Sequence, residues 1–201
     1  MFFVLLSILF LILGSLVSVL IKGNSKKAIA ACFGVSFSSI IGLLSFVFPS
    51  QYLHDNVSFS TNLPLVSFAV GIDPLSKFFL LIIFGISLVV GVYGFGYIKG
   101  QKRLIDSVPF FPLLIAAMIG VVIARDGFSF IIIWEIMSLA SFFLVTSEHE
   151  KSEVQRAGWI YLIATHLATA FLMAFFVILA NANNSFLFND FVASPIKEPF
   201  L

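Results

Sequence analysis

Glu135 and His166 are ionisable side chains set in apolar surroundings, and their types and spacing are those of a pair that could handle protons. Glu135 lies inside FSFIIIWEIMSLASFFLV, residues 128–145, and His166 inside WIYLIATHLATAFLM, residues 159–173. Carboxylates and imidazoles both titrate near neutrality when their environment shifts them. A carboxylate in mid-membrane costs at least about 2.5 kcal/mol on insertion scales, so Glu135 requires a proton or a partner. At 1.5 Å per helical residue, Glu135 lies about 12 Å from one end of its segment and His166 about 13 Å from the opposite end of the next. Consecutive antiparallel helices would therefore bring the two to nearly the same level. Ser138 follows Glu135 at i+3, and Thr169 and Ala170 follow His166 at i+3 and i+4, so each helix has a small or hydroxylated flank. Two readings follow. Glu135, His166, Ser138 and Thr169 line a water-linked proton pathway, or a Glu–His hydrogen bond simply locks two helices together.

The elements that must position this pair are membrane helices. The chain has 201 residues, 60% of them hydrophobic and 10% charged, with a mean hydropathy of +1.12. Globular domains carry about 25% charge, and a soluble fold of this size could not hide so much apolar surface. The class is all-α integral membrane protein, in contact with the lipid bilayer. The 26 Phe residues suit lipid-facing and helix-packing surfaces. The net charge of +1 implies no nucleic-acid partner.

A hydrocarbon core of about 30 Å needs about 20 helical residues. Six segments qualify: 2–21, 28–48, 75–98, 109–124, 127–146 and 158–180. The first has no early charge and about 20 apolar residues, which fits a retained span and not a signal peptide. The fourth opens with Pro109 and Pro112, and proline is tolerated only in a first helical turn, so Pro112 marks a start or a kink. No alternating strand pattern is evident. The expected organisation is helices 1–3 in residues 1–108, with an external loop at 49–74. Helices 4–6 then fill 109–181 as the start of a further bundle, and an extramembrane tail or interfacial segment fills 182–201. No seventh span follows.

Basic residues alternate along the connections. Lys22, Lys26 and Lys27 precede helix 2, Lys99, Lys102 and Arg103 follow helix 3, and Lys151 and Arg156 precede helix 6. Residues 49–74 contain no Lys or Arg, and the tail holds only Lys197. The positive-inside rule puts the basic connections in the cytoplasm and both termini outside the cytoplasm, with the cell inner (plasma) membrane as the expected location.

Other chemistry is excluded or poorly supported. The lone Cys32 can form neither an intrachain disulfide nor a cysteine cluster, and reads as small-residue packing. Met118, Met137 and Met173 read as core packing, and His54 and His149 have no ligand spacing. GVYGFGYIKG, residues 91–100, ends a membrane helix and follows no strand, so its glycines serve helix contact and not phosphate binding. No catalytic, metal-binding or cofactor-binding residue is expected, and no cofactor.

DGFSFIIIWEIMSLASFFLV resembles the fifth-helix signature of the antiporter-like membrane subunits shared by respiratory complex I, Mrp-type cation/proton antiporters and group 4 hydrogenases. GIDPLSKFFLLIIFGISLVVGVYGFGYIKG, EVQRAGWIYLIATHLATAFLM and NNSFLFNDF agree with the same family. The forms WEIMSLASFFLV and THLATAFL are most similar to its hydrogenase-4 component B (formate hydrogenlyase subunit 3) branch. The resemblance spans about residues 70–192. It implies a subunit of about fourteen helices that moves protons, driven by redox chemistry in other subunits. In the family the fifth-helix glutamate, here Glu135, pairs with a lysine on a seventh helix. This chain stops before such a helix, so the expected partners include a membrane subunit supplying that lysine, together with peripheral hydrogenase or dehydrogenase subunits.

Two functions remain open on these residues. The chain is a membrane subunit, or part of one, of a proton-translocating, hydrogenase-4-like oxidoreductase complex, or it is a non-conducting scaffold that keeps the family's helices. An Mrp-type antiporter or an NADH:quinone oxidoreductase is the alternative host assembly.

Overall fold

The computed structural model describes residues 1–48, 57–60, 67–98, 106–148 and 150–193. Six long or mid-length helices follow one another: α1 Phe2–Leu20, α2 Asn24–Val47, α3 Pro74–Tyr97, α4 Phe110–Ile123, α5 Gly127–Val145 and α6 Ser152–Asn183. A short α7, Phe188–Ala193, ends the described chain. Five of the helices are long and apolar enough to cross a membrane. α4, with 14 residues, rises only about 21 Å.

α1 and α2 form a hairpin. Gly23 turns it with φ of 118°, a conformation that favours glycine. Gly14 and Gly34 face each other so closely that a Cβ on Gly34 would lie 3.1 Å from the Gly14 Cα. α2 packs in turn on α3, and α4 fills the space between α1, α3 and α5. The core comprises Val4 and Leu11 of α1, Val35 of α2, Leu80 and Phe84 of α3, and Ile119 and Ile123 of α4, all fully or almost fully buried. Serine hydroxyls add interhelical bonds: Ser38 donates to the Ser7 carbonyl at 2.9 Å, and Ser15 to the Pro109 carbonyl at 2.8 Å. Cys32 is buried against Gly94, as small-residue packing requires.

Two short strands lie between α2 and α3. β1, Val57–Ser60, and β2, Ser67–Val70, pair antiparallel, with Val57 opposite Val70 and Ser60 opposite Ser67. Four residues per strand are too few for an alternating pattern to stand out. Extended backbone after α4 continues the pairing. The Gly71 N–H donates to the Ile123 carbonyl and the Arg125 N–H to the Ala69 carbonyl, both at 2.8 Å. On the other side of the same segment, the Gly127 N–H donates to the Phe186 carbonyl and the Phe188 N–H to the Arg125 carbonyl, both at 3.0 Å. α4 can be short because the non-helical backbone beyond it is satisfied inside protein, as any irregular backbone near a membrane must be.

Helix bounds also shift. α2 begins at Asn24 and α6 at Ser152, several residues before the apolar runs at 28 and 158. Hydropathy marks where lipid begins, and a helix continues into water while its backbone bonds are made. At the far end α6 runs to Asn183, and Asn184 closes it with φ of 51°. Part of the expected tail is therefore helix, and α7 packs on the bundle through Phe188, which stacks on Phe176 at 5.6 Å.

The connections fall at two ends. Lys27 approaches Asp106 at 4.0 Å, and one apolar cleft is lined by Tyr97, Ile98, Ser107, Val108, Leu144 and Ser147. The connections after α1, α3 and α5 thus share an end, and β2, residues 124–127 and residues 184–188 share the other. Lys99, Lys102, Arg103, His54, His149 and Lys197 lie outside the described residues.

Candidate functional site

The geometry around Glu135 begins with how α5 and α6 are held. α5 starts at Asp126, a carboxylate with 0% exposure. Its Oδ1 accepts from the Ser129 N–H at 2.7 Å, capping the helix, and its Oδ2 accepts from the Ala69 N–H at 2.8 Å, tying the cap to β2. α3 starts the same way: the Asp73 Oδ1 accepts from the Ser76 N–H at 2.6 Å. Arg125 joins the two starts. Its Nη2 donates to the Ser76 Oγ at 2.8 Å and lies 3.2 Å from the Asp73 Oδ2, while the Ser76 Oγ donates to the Val122 carbonyl at 2.9 Å. The Ser76 N–H, with Arg125 behind it, holds the Asp73 carboxyl below its ordinary range against a smaller opposing effect of burial. These positioning residues were missed from the sequence, although DPLS at 73–76 and DGFS at 126–129 carry the capping spacing.

α6 approaches α5 closely at Gly158, where any Cβ would overlap the Thr146 methyl. Phe176 lies against Gly127 at the other end of the contact. Between these two points Glu135 and His166 face each other: the His166 Nε2 is 3.6 Å from the Glu135 Oε2. The His166 Nδ1 lies 2.9 Å from the Leu162 carbonyl oxygen. The Glu135 side chain is 28% exposed and that of His166 50%, so the pair sits between helices and is open along one flank.

The structure brings together the expected neighbours unevenly. Ser138 is buried, and its Oγ has no hydrogen-bond partner among the described residues. Thr169 is buried too, but its hydroxyl donates to the Thr165 carbonyl at 3.0 Å. Ala170 is exposed. Met118 packs against the core, whereas Met173 is 51% exposed; an apolar residue on a lipid-facing surface needs no core, which corrects the packing expected of it. No group of three or more potential metal ligands occurs among the described residues.

Chemically, the site offers one carboxyl, one imidazole and the unengaged Ser138 hydroxyl, while the Thr165 and Thr169 hydroxyls are bonded to their own helix. Such a set can bind and pass protons. It has no nucleophile paired with a base.

Residues 59–105 match the family model described as NADH-Ubiquinone oxidoreductase (complex I), chain 5 N-terminus, and residues 124–195 match NADH:quinone oxidoreductase/Mrp antiporter, TM. An uncharacterized protein of Mycobacterium tuberculosis is 31% identical over 153 residues, 76% of this chain and 23% of its own length. Hydrogenase-4 component B of Escherichia coli is 26% identical over 191 residues, 92% of this chain and 28% of its own length. The chain thus spans about a quarter of the length of these relatives. In fold it is similar to a chain of the Mrp complex from Dietzia, with a TM-score of 0.79 at 20% identity, covering 98% of this chain and 22% of that one. With one family model matched across β2 and α3 and the other across the helices that carry Glu135 and His166, the chain belongs to the antiporter-like family of membrane subunits found in complex I, Mrp antiporters and hydrogenase-4-type complexes.

Proposed function

We propose that this chain is part of a membrane subunit of a proton-translocating oxidoreductase complex of the hydrogenase-4 type, with Glu135 on the proton pathway and His166, Ser138 and Thr169 beside it. The observation that carries this reading is the approach of Glu135 to His166 at 3.6 Å in the middle of two apolar helices. Intramembrane ionisable residues are expensive and functional by default. The open flank of the pair suits a further helix with a cation, and the family resemblance supplies one, a lysine, from another membrane segment or subunit. Redox chemistry belongs to peripheral hydrogenase or dehydrogenase partners. The host membrane is the inner membrane, with the basic connections in the cytoplasm and the N-terminus outside it.

The scaffold reading has one observation in its favour. Apart from Glu135 and His166, the described middle portions of α5 and α6 contain no ionisable side chain, so no charged continuation of a path runs along them. Glu135→Gln in the assembled complex separates the two. The pathway reading expects normal insertion and assembly with reduced coupled proton movement. Unchanged coupling would leave only the scaffold.

A further inference from the structure

We propose that the apolar cleft at the end of the bundle shared by the connections after α1, α3 and α5 holds one acyl chain of an anionic phospholipid, with the headgroup phosphate beside Lys27. The site is separate from Glu135 and His166 and does not rest on the pathway reading.

Size and depth select a lipid chain. The cleft has a volume of about 290 Å³ and an almost wholly apolar lining, to which Val90, Phe111 and Leu144 contribute. Val90 lies about 10 Å inward of Tyr97 along α3. Tyr97, Ser107 and Ser147 form the rim. Tyr97 closes α3, Ser107 precedes α4 and Ser147 follows α5, so the rim stands where the helices leave the apolar layer. Tyr97 stacks on Tyr93 at 5.5 Å, and both rings are largely exposed. Exposed tyrosines one turn apart at a helix end suit the boundary between acyl chains and headgroups. One turn of a helix about 10 Å across fills about 420 Å³, more than the cleft holds. A packed helix can lie over such a cleft but not enter it, whereas a single hydrocarbon chain enters.

Charge selects the kind of lipid. The connections at this end, residues 21–27, 98–109 and 146–156, hold eight Lys or Arg against four Asp or Glu. Those at the other end, residues 48–73 and 124–126, hold Arg125 against Asp55, Asp73 and Asp126. Lys27 stands beside the rim, with its Nζ 4.0 Å from the Oδ1 of Asp106, the residue before Ser107. That distance is too long for a hydrogen bond, so the ammonium keeps its donors for a phosphate. Lys22 and Lys26 are exposed in the same connection. Lys151, by contrast, is engaged by Glu148 beside Ser147. Clusters of Lys and Arg at the ends of membrane helices attract anionic headgroups, and a zwitterionic lipid would bring its own ammonium into the same field. One anionic lipid satisfies both halves of the site, its chain in the cleft and its phosphate at Lys27.

Photolabelling of the assembled complex tests this, in phosphatidylcholine vesicles doped with a phospholipid that carries a diazirine midway along one chain. Adducts are mapped by mass spectrometry of the digested protein. Diazirine phosphatidylglycerol is expected to label Val90, Phe111 and Leu144 about fivefold more than diazirine phosphatidylcholine does, the factor for one basic residue beside an anionic headgroup. Val89, which is 68% exposed on the same helix, should be labelled equally by both. Lys27→Gln should bring the preference in the cleft close to parity and leave Val89 unchanged. Ser147→Phe, which fills the rim, should remove the cleft adducts of both lipids. Equal labelling of the cleft in the parent protein, or a preference untouched by Lys27→Gln, overturns the proposal. A cleft that neither lipid labels, with Val89 still labelled, overturns it in favour of a partner subunit or a second copy of this chain lying over the cleft. Lys27→Gln leaves the apolar lining intact, so it decides the matter even where Ser147→Phe does not assemble.

Discussion

Arg125 reaches from the junction of α4 and α5 to Asp73 at the start of α3, with 3.2 Å between the guanidinium and the carboxylate. Asp73 caps α3 at the same time, so one carboxylate fixes both the start of a helix and its distance from the next junction. Asp73→Ala is expected to cost about 1 kcal/mol, the usual loss for a helix cap, read as a lower midpoint of thermal unfolding in detergent. The pH dependence has a definite sign. The folded Asp73 carboxyl is held below its ordinary value of 3.8, so its contribution is complete above that value and is lost as pH falls through the lowered one. Asp73→Asn should flatten this acid-side loss while leaving stability near neutral pH less affected than Asp73→Ala does.

Asp126 is a sharper case, because it is wholly buried and holds two backbone N–H groups. Asp126→Ala strands both, at about 1–3 kcal/mol for each buried unsatisfied donor. Asp126→Asn retains one acceptor and should fall between the alanine variant and the parent. The check is the denaturant midpoint of the purified protein or the amount of folded protein recovered from membranes. An Asp126→Ala variant as stable as the parent would show that the tie to β2 carries nothing.

The α5–α6 contact can be altered without touching any charge. Gly158→Ala places a methyl into the space of the Thr146 methyl, which should push α6 outward and separate Glu135 from His166. Coupled proton movement in the assembled complex is expected to fall with no change in the ionisable residues. Thr146→Ser in the same chain removes the opposing methyl and keeps the hydroxyl, which donates to the Phe142 carbonyl at 2.8 Å. The double variant should recover most of the lost activity. Failure of that rescue would mean that the glycine matters for some reason other than helix approach.

Sidedness is tested by reporter fusions. A reporter placed after residue 25 or after residue 102 is expected to act as cytoplasmic, and one near residue 60 as external, because Lys and Arg cluster in the first two regions and are absent from the third. A cytoplasmic signal at residue 60 would reverse the orientation.

The sequence by itself determined the class, the order of the helices and the two residues worth watching. Apolar runs of membrane length can only be helices in lipid, and an ionisable residue within such a run stands out in any reading. Depth arithmetic sufficed to put Glu135 and His166 at one level, because rise per residue is fixed by the backbone. The family was legible in the fifth-helix stretch around Glu135.

Only the tertiary structure decided what those residues do to each other. The spacing of His166 on α6 could not reveal that its Nδ1 turns back to Leu162, since a ring orientation depends on χ angles and packing. Nor could it reveal that Ser138 has no partner among the described residues while Thr169 is occupied by its own helix. The β hairpin and its pairing with residues 124–126 were hidden for a related reason. Strands of four residues have almost no periodic signal, and a ladder between segments more than fifty residues apart is a property of where the chain returns, not of any local pattern. That ladder lets α4 be short, fixes the start of α5 through Asp126, and so sets the height at which Glu135 meets His166.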